Sequence, residues 1–346
     1  MPEVESDGAK NSLAYYVLDV FSGRRLEGNA LAVVLHDGAL SAETMQAIAR
    51  ETNLSETTFV ERREAEVERR EGVRVRIFTT AEELPFAGHP TLGTASLLKA
   101  IAPECMVGDT VTLALKVGPV PVRFEANGAG AAAWPVKGEM TQRDPEFGET
   151  LDAHEVAALT GLSVDDFDAK LPIQIVSTGT AFAIVPLRSA DSLARLRVRH
   201  EEANAFLKAR GARWFYVLGP ETAAKAASAP ETAGTAETLP LWRARMQFNG
   251  GEDPATGSAA GCAISHLVRH GAVAPDRTIH VRQGVEMLRP SDLFLTASLQ
   301  TFFTSKRQVT IPVEVQKKLG LKPAKVTKVR VGGSTILVAT GRLFLP

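Results

Sequence analysis

Apolar and polar positions alternate along VRVRIFTT, residues 73–80, which is the period of a strand with one face in a core. YYVLDV (15–20) and the run Leu31–Leu35 predict two further strands. Across SAETMQAIARET (41–52) the spacing becomes helical, with Ser41 as the N-cap and Glu43 in the first turn. NLSETTFV (53–60) then returns to extended structure. More strands are expected at 111–124, 172–186 and 244–248, and a helix near 153–161. Two segments differ from the rest. Pro90–Ile101, and the stretch from Pro254 to near Gly271, are apolar or small almost all round. Each opens on a proline, which suits a first helical turn, and a helix with no polar face is a buried one. The polar, Pro- and Gly-bearing MTQRDPEFGET (140–150) reads as a domain boundary, residues 1–11 as a disordered lead and 219–239 as a surface loop. Two domains follow, 12–139 and 140–346.

The two buried helices open on one repeated pattern. His89-Pro90-Thr91-Leu92-Gly93-Thr94-Ala95 matches Asp253-Pro254-Ala255-Thr256-Gly257-Ser258-Ala259, and self-similarity once per half suggests a duplicated domain. A helix start offers unpaired N–H groups and a partial positive charge, so it receives carboxylates. Gly88, Gly93 and Gly257 would let a ligand approach the backbone. His89 and Asp253 would then stand at equivalent starts, facing one cleft, as titratable groups with different resting protonation near pH 7. The plainer alternatives are an N-cap role for Asp253 and a structural role for His89. Glu56 is a third candidate: it lies just after a helix among Ser55, Thr57 and Thr58. Partial desolvation there would raise a carboxyl pKa toward values useful for proton transfer; the alternative is an exposed glutamate at a strand edge.

Composition narrows the classes. The chain has 346 residues, 45% hydrophobic and 23% charged, with a net charge of −1. That is ordinary for a soluble globular protein and no match, as a whole, for nucleic acid or anionic membrane. Only Cys105 and Cys262 are present, which excludes a disulfide scaffold and fits a reducing compartment. No metal-type Cys/His spacing occurs. The first residues, MPEVESDGAK, are polar and acidic rather than signal-like. No apolar run reaches the ~18 residues that span a bilayer. A cytoplasmic location is the expectation.

NALAVVL, NLSETTFV, RIFTTAEELPFAGHPTLGTA, EDPATGSAAGC, QGVEMLRPS and VRVGGSTILVATG together resemble the PhzF-like phenazine-biosynthesis isomerase family. The resemblance implies the α/β fold of diaminopimelate epimerase: two similar domains, each a curved sheet around a central apolar helix, with the active site between them. It implies Glu56 as the acid/base that moves a proton between substrate carbons, with His89 and Asp253 positioning and assisting. Gly88, Gly257 and Ser258 would receive the carboxylate of a small anionic metabolite, and Asn29 is a weaker contact. Epimerases of this fold place a cysteine at each helix start; His89 and Asp253 stand there instead, so one-base proton relocation fits better than a two-thiol racemase. No cofactor and no metal are implied. ARMQFNGGEDP is shorter than the family's usual stretch before Glu-Asp-Pro, which leaves the cleft wall and the substrate open.

One segment departs from the family. LQTFFTSKRQVTIPVEVQKKLGLKPAK (299–325) separates SDLFLTAS from VTKVRVGG and resembles the swapped-hairpin DNA-binding domain of AbrB/MazE-type regulators. Between Thr304 and Lys328 it carries seven basic residues (306, 307, 317, 318, 322, 325 and 328) and one acid, Glu314. DNA contact is the alternative function. A surface or dimerisation hairpin is favoured, because half of such a domain makes few phosphate contacts. A homodimer is the expected assembly.

Overall fold

The computed structural model describes residues 12–38, 40–125, 134–221, 239–248, 251–300, 302–304, 307–309 and 325–345. The lead at 1–11, most of the loop expected at 219–239 and most of the insert at 299–325 therefore lie outside the described residues. The chain divides into two units: Met1–Met140 with Gly333–Pro346, and Thr141–Gly332. The second domain expected at 140–346 is corrected here, because its last residues belong to the first unit.

In the first unit the strands are β1 (Ser12–Val20), β2 (Asn29–His36), β3 (Thr57–Glu61), β4 (Val73–Phe78), β5 (Glu83–Leu84), β6 (Thr110–Leu115), β7 (Gly118–Phe124) and β8 (Val136–Thr141). The helices are α1 (Ala42–Thr52), α2 (Ala65–Glu71) and α3 (Gly88–Ile101). The strands lie in the order β1-β2-β3-β4-β6-β7-β8, with β5 on β4. The expected helix α1 forms between the signals that its sequence carries. Ser41 caps it by accepting from the Thr44 N–H, and Asn53 ends it in the left-handed region at φ 52°. Helix α3 packs on β1, β2, β3, β6 and β7, and Gly88 to Leu98 are all buried. It is the central apolar helix of this unit.

The second unit repeats the plan. Its strands are β9 (Glu146–Thr150), β10 (Gln174–Ser177), β11 (Ala181–Pro186), β12 (Phe215–Pro220), β13 (Leu241–Arg245), β14 (Gln247–Phe248), β15 (Gly251–Glu252), β16 (Ile279–Gln283), β17 (Ser291–Leu299), β18 (Phe302–Thr304), β19 (Arg307–Val309) and β20 (Val326–Phe344). Its helices are α4 (Ala153–Thr160), α5 (His200–Lys208) and α6 (Gly257–Arg269). The main sheet runs β9-β10-β11-β12-β13-β16-β17-β20, and α6 packs on β10, β11 and β17. The segment 140–150 is thus not a bare linker: β9 lies within it. Strand β20 pairs with two strands in succession within one continuous sheet. Val326 to Gly332 pair with β17, and Thr335 to Phe344 pair with β1 in the first unit.

The repeated pattern does not fall at equivalent places. Helix α3 starts at Gly88, so His89-Pro90 lies inside its first turn. Helix α6 starts at Gly257, with Thr256 as the N-cap, so Asp253-Pro254 lies in the turn before it. Both starts were expected at the prolines. Gly93 also has a different role from the one expected. A Cβ there would lie 2.6 Å from Leu31 Cδ2 and 2.7 Å from Val20 Cγ2. The glycine lets α3 press against β1 and β2 and offers no ligand approach.

Candidate active site

The first group of candidate residues gathers where α1 gives way to β3. The left-handed Asn53 turns the chain out of the helix, and the Thr52 and Thr57 hydroxyls bond across the turn at 2.8 Å. Thr58 is fully buried and bonds Thr94 of α3 at 2.9 Å, which ties this turn to the helix that carries His89. Glu56 is thereby set against His89, with its Oε2 3.5 Å from the imidazole Nε2 and the two side chains 17% and 6% exposed. Asn29, the buried first residue of β2, shares a hydrogen bond with His89 Nδ1 at 3.3 Å, and its Oδ1 accepts from the Ser55 hydroxyl at 3.4 Å. Gly88 is buried beside them in the first turn of α3.

Burial lowers the His89 pKa to about 3, against a backbone hydrogen bond to Ala30 that raises it. At neutral pH the imidazole is therefore uncharged, donating at one ring nitrogen and accepting at the other. Its Nε2 is buried and makes no hydrogen bond among the described residues. The 3.5 Å separation from Glu56 is longer than a good hydrogen bond, and the uncharged ring does not neutralise the carboxylate as a buried ion pair would.

The second group lies in the second unit. Asp253 Oδ2 accepts from the Thr256 hydroxyl at 2.7 Å, and Gly257 and Ser258 open α6. Asp253 is therefore not the N-cap of that helix. Sequence reasoning passed over three residues here. Gln283 is fully buried and its Nε2 donates to the Asp253 carbonyl at 2.8 Å. Thr256 is the N-cap, and Tyr216, deep in the core, donates to Gln283 Oε1 at 3.1 Å. Gln283 does open the QGVEMLRPS motif, but nothing in its local pattern shows that it reaches a turn thirty positions back.

The cysteines stand apart from both groups. Burial pushes each thiol up to about 11, so neither is a thiolate at neutral pH. Cys262 lies within α6 beside Thr178, and Cys105 lies beyond the end of α3. Among the described residues no group of three His, Cys, Asp or Glu side chains is placed to hold a metal ion, and no helix is long and apolar enough to cross a membrane.

Two α/β units, each with a buried helix against its sheet, define an epimerase-type fold. The chain belongs to the PhzC-PhzF family of phenazine biosynthesis-like proteins, which it matches over residues 18–341. It is 35% identical over 286 residues to the trans-2,3-dihydro-3-hydroxyanthranilate isomerase of Pseudomonas aeruginosa, covering 82% of this chain and 90% of the relative. It is an isomerase of this family. A PhzF-family phenazine biosynthesis protein of Bacillus anthracis superposes with a TM-score of 0.73 at 24% identity, covering 96% of this chain and 99% of that one. A hydroxyproline epimerase from Agrobacterium vitis shares the fold at a TM-score of 0.55 and 10% identity, covering 97% and 94%.

Proposed function

We propose that this isomerase relocates a proton between two carbons of a small carboxylate-bearing metabolite, with Glu56 as the single acid/base. The observation that carries the reading is the setting of Glu56: a largely buried carboxylate in a pinned turn, 3.5 Å from an imidazole that burial keeps uncharged. A C–H bond breaks at one carbon as its proton passes to the carboxylate. The electron pair shifts through the conjugated system, and the carboxylic acid, which can exchange its proton with solvent in between, returns a proton to another carbon on that face. No electrons leave the molecule, so the step is redox-neutral and needs no electron carrier. His89 holds and orients the carboxylate, and Asn29 in turn orients the imidazole. In the first unit, Gly88 in the first turn of α3 is a candidate donor to a carboxylate; in the second unit, Asp253 is given an assisting role, and Gly257 and Ser258 at the start of α6 are candidate donors of the same kind.

The named Pseudomonas relatives support a substrate of the anthranilate type, and trans-2,3-dihydro-3-hydroxyanthranilate is the first compound to try. In D2O the wild-type enzyme should incorporate deuterium as it turns the substrate over. Glu56→Gln should lower both rates by about 10²- to 10⁴-fold, the usual contribution of a positioned acid/base, with its circular dichroism unchanged. Undiminished exchange in that variant would defeat the role given to Glu56. For the insert at 299–325 we favour a surface or dimerisation hairpin over DNA contact, and no observation on the described residues favours the latter.

A further inference from the structure

Thr256 is the N-cap of α6, yet its side chain makes no capping bond. A capping hydroxyl normally accepts from an N–H of the first turn and adds about 1 kcal/mol of stability. Here the hydroxyl donates to Asp253 Oδ2 instead, at 2.7 Å, and the cause can be traced to Gln283.

The Gln283 amide has four polar contacts. Nε2 donates to the Asp253 carbonyl at 2.8 Å and to Thr256 Oγ1 at 2.9 Å. Oε1 accepts from the Thr256 backbone N–H and from the Tyr216 hydroxyl, each at 3.1 Å. An amide offers two N–H donors and two lone pairs, so its capacity is filled. Two of these partners have fixed polarity: a backbone N–H only donates and a backbone carbonyl only accepts. They leave the amide one orientation. With Nε2–H directed at Thr256 Oγ1, that oxygen accepts on one side and its own hydrogen is turned to Asp253 Oδ2. Oδ2 must then be an acceptor. Packing holds the amide in place as well. Gly284 has φ +75°, and a Cβ there would lie 2.3 Å from Arg289 O and 2.7 Å from Pro254 O, so the backbone at 283–284 rests directly on the turn that carries Asp253.

We propose that Gln283 is a positioning residue: through Thr256 it sets the direction of one hydroxyl and so holds Asp253 as an oriented hydrogen-bond acceptor. This rests on the reading of Asp253 as a residue that assists at the substrate. Two measurements test it. In kinetics, Gln283→Met and the isosteric Thr256→Val should each lower kcat about 10-fold with KM within about two-fold, the loss of one hydrogen bond that matters in the transition state. The double variant should be no worse than either single one, because the two act in series, and Thr256→Ser should behave as wild type. In 13C-aspartate-labelled full-length protein, the Asp253 carboxyl resonance, assigned by its loss in Asp253→Asn, should move in Gln283→Met and in Thr256→Val but not in Thr256→Ser. Losses that multiply in the double variant, or an unmoved resonance in Gln283→Met, would overturn the proposal. Failure of the functional reading looks different: an inactive wild type, or an active Glu56→Gln, while the resonance still reports the relay.

Discussion

His89 is a histidine that the fold keeps from carrying a proton at neutral pH. Its ring is desolvated, and its pKa falls from 6.5 to about 3; His266 in the second unit falls likewise to about 3, mainly by burial. A histidine with a folded pKa below its unfolded one binds fewer protons when folded, so acidification favours the unfolded state. Each ring therefore contributes nothing adverse above pH 6.5 and lowers stability progressively from there toward pH 3, by at most ~1.4 kcal/mol per pH unit. The urea midpoint should fall between about pH 6.5 and 5, before most carboxylates titrate, and His89→Gln should flatten part of that slope. A midpoint level across this window would contradict the burial of both rings. Glu56 and His89 were legible as candidates from their own segments, and Asn29 only through the family resemblance. Their grouping was not, because it depends on the first residue of β2, the turn after α1 and the start of α3 meeting in space.

At the scale of elements, the two buried helices were the most legible feature. An apolar surface all round a helix has only one stable environment, and α3 and α6 lie where that rule puts them. Their starts were less legible. Proline suits a first helical turn but is also accepted in a turn outside a helix. In the second copy the turn wins: it is tied down by Gln283, which lies far away in sequence, and no local rule includes that bond. The small residues of α3 have a packing reason. Gly93→Ala adds up to about 1 kcal/mol of helix propensity. Against this, the new methyl would meet Leu31 and Val20 at 2.6 and 2.7 Å in a filled core, and overpacking typically costs about 1–3 kcal/mol. The variant should be less stable by ~1–2 kcal/mol in urea titration; equal or greater stability would show that the core yields easily.

For the whole molecule, the inserted segment has a simple place in the topology. Leu299 of β17 and Val326 of β20 are paired residues, and the Gln300 N–H bonds the Lys325 carbonyl at 2.7 Å. The insert thus leaves and re-enters the sheet at adjacent positions, as a hairpin connection does. Long insertions at such a point carry only a weak, logarithmic entropy cost. Replacing residues 301–324 by a short Asn-Gly turn should leave the melting temperature within a few degrees and the isomerase activity intact, and neither form should retard duplex DNA at low salt. Loss of folding, or retardation by the full chain alone, would assign the segment a larger role.

Patterning and motif by themselves determined the class of this protein: strand and helix periods, two buried helices, two protein halves and a family resemblance are all written in short windows where burial and backbone geometry leave a periodic trace. Tertiary structure alone decided where the pieces meet. It returned the chain's last strand to the first unit, moved Asp253 out of the helix start, turned Gly93 from a ligand approach into a packing contact and placed Gln283 beneath Asp253. Each of these depends on contacts between residues distant in sequence, and such contacts leave no period along the chain.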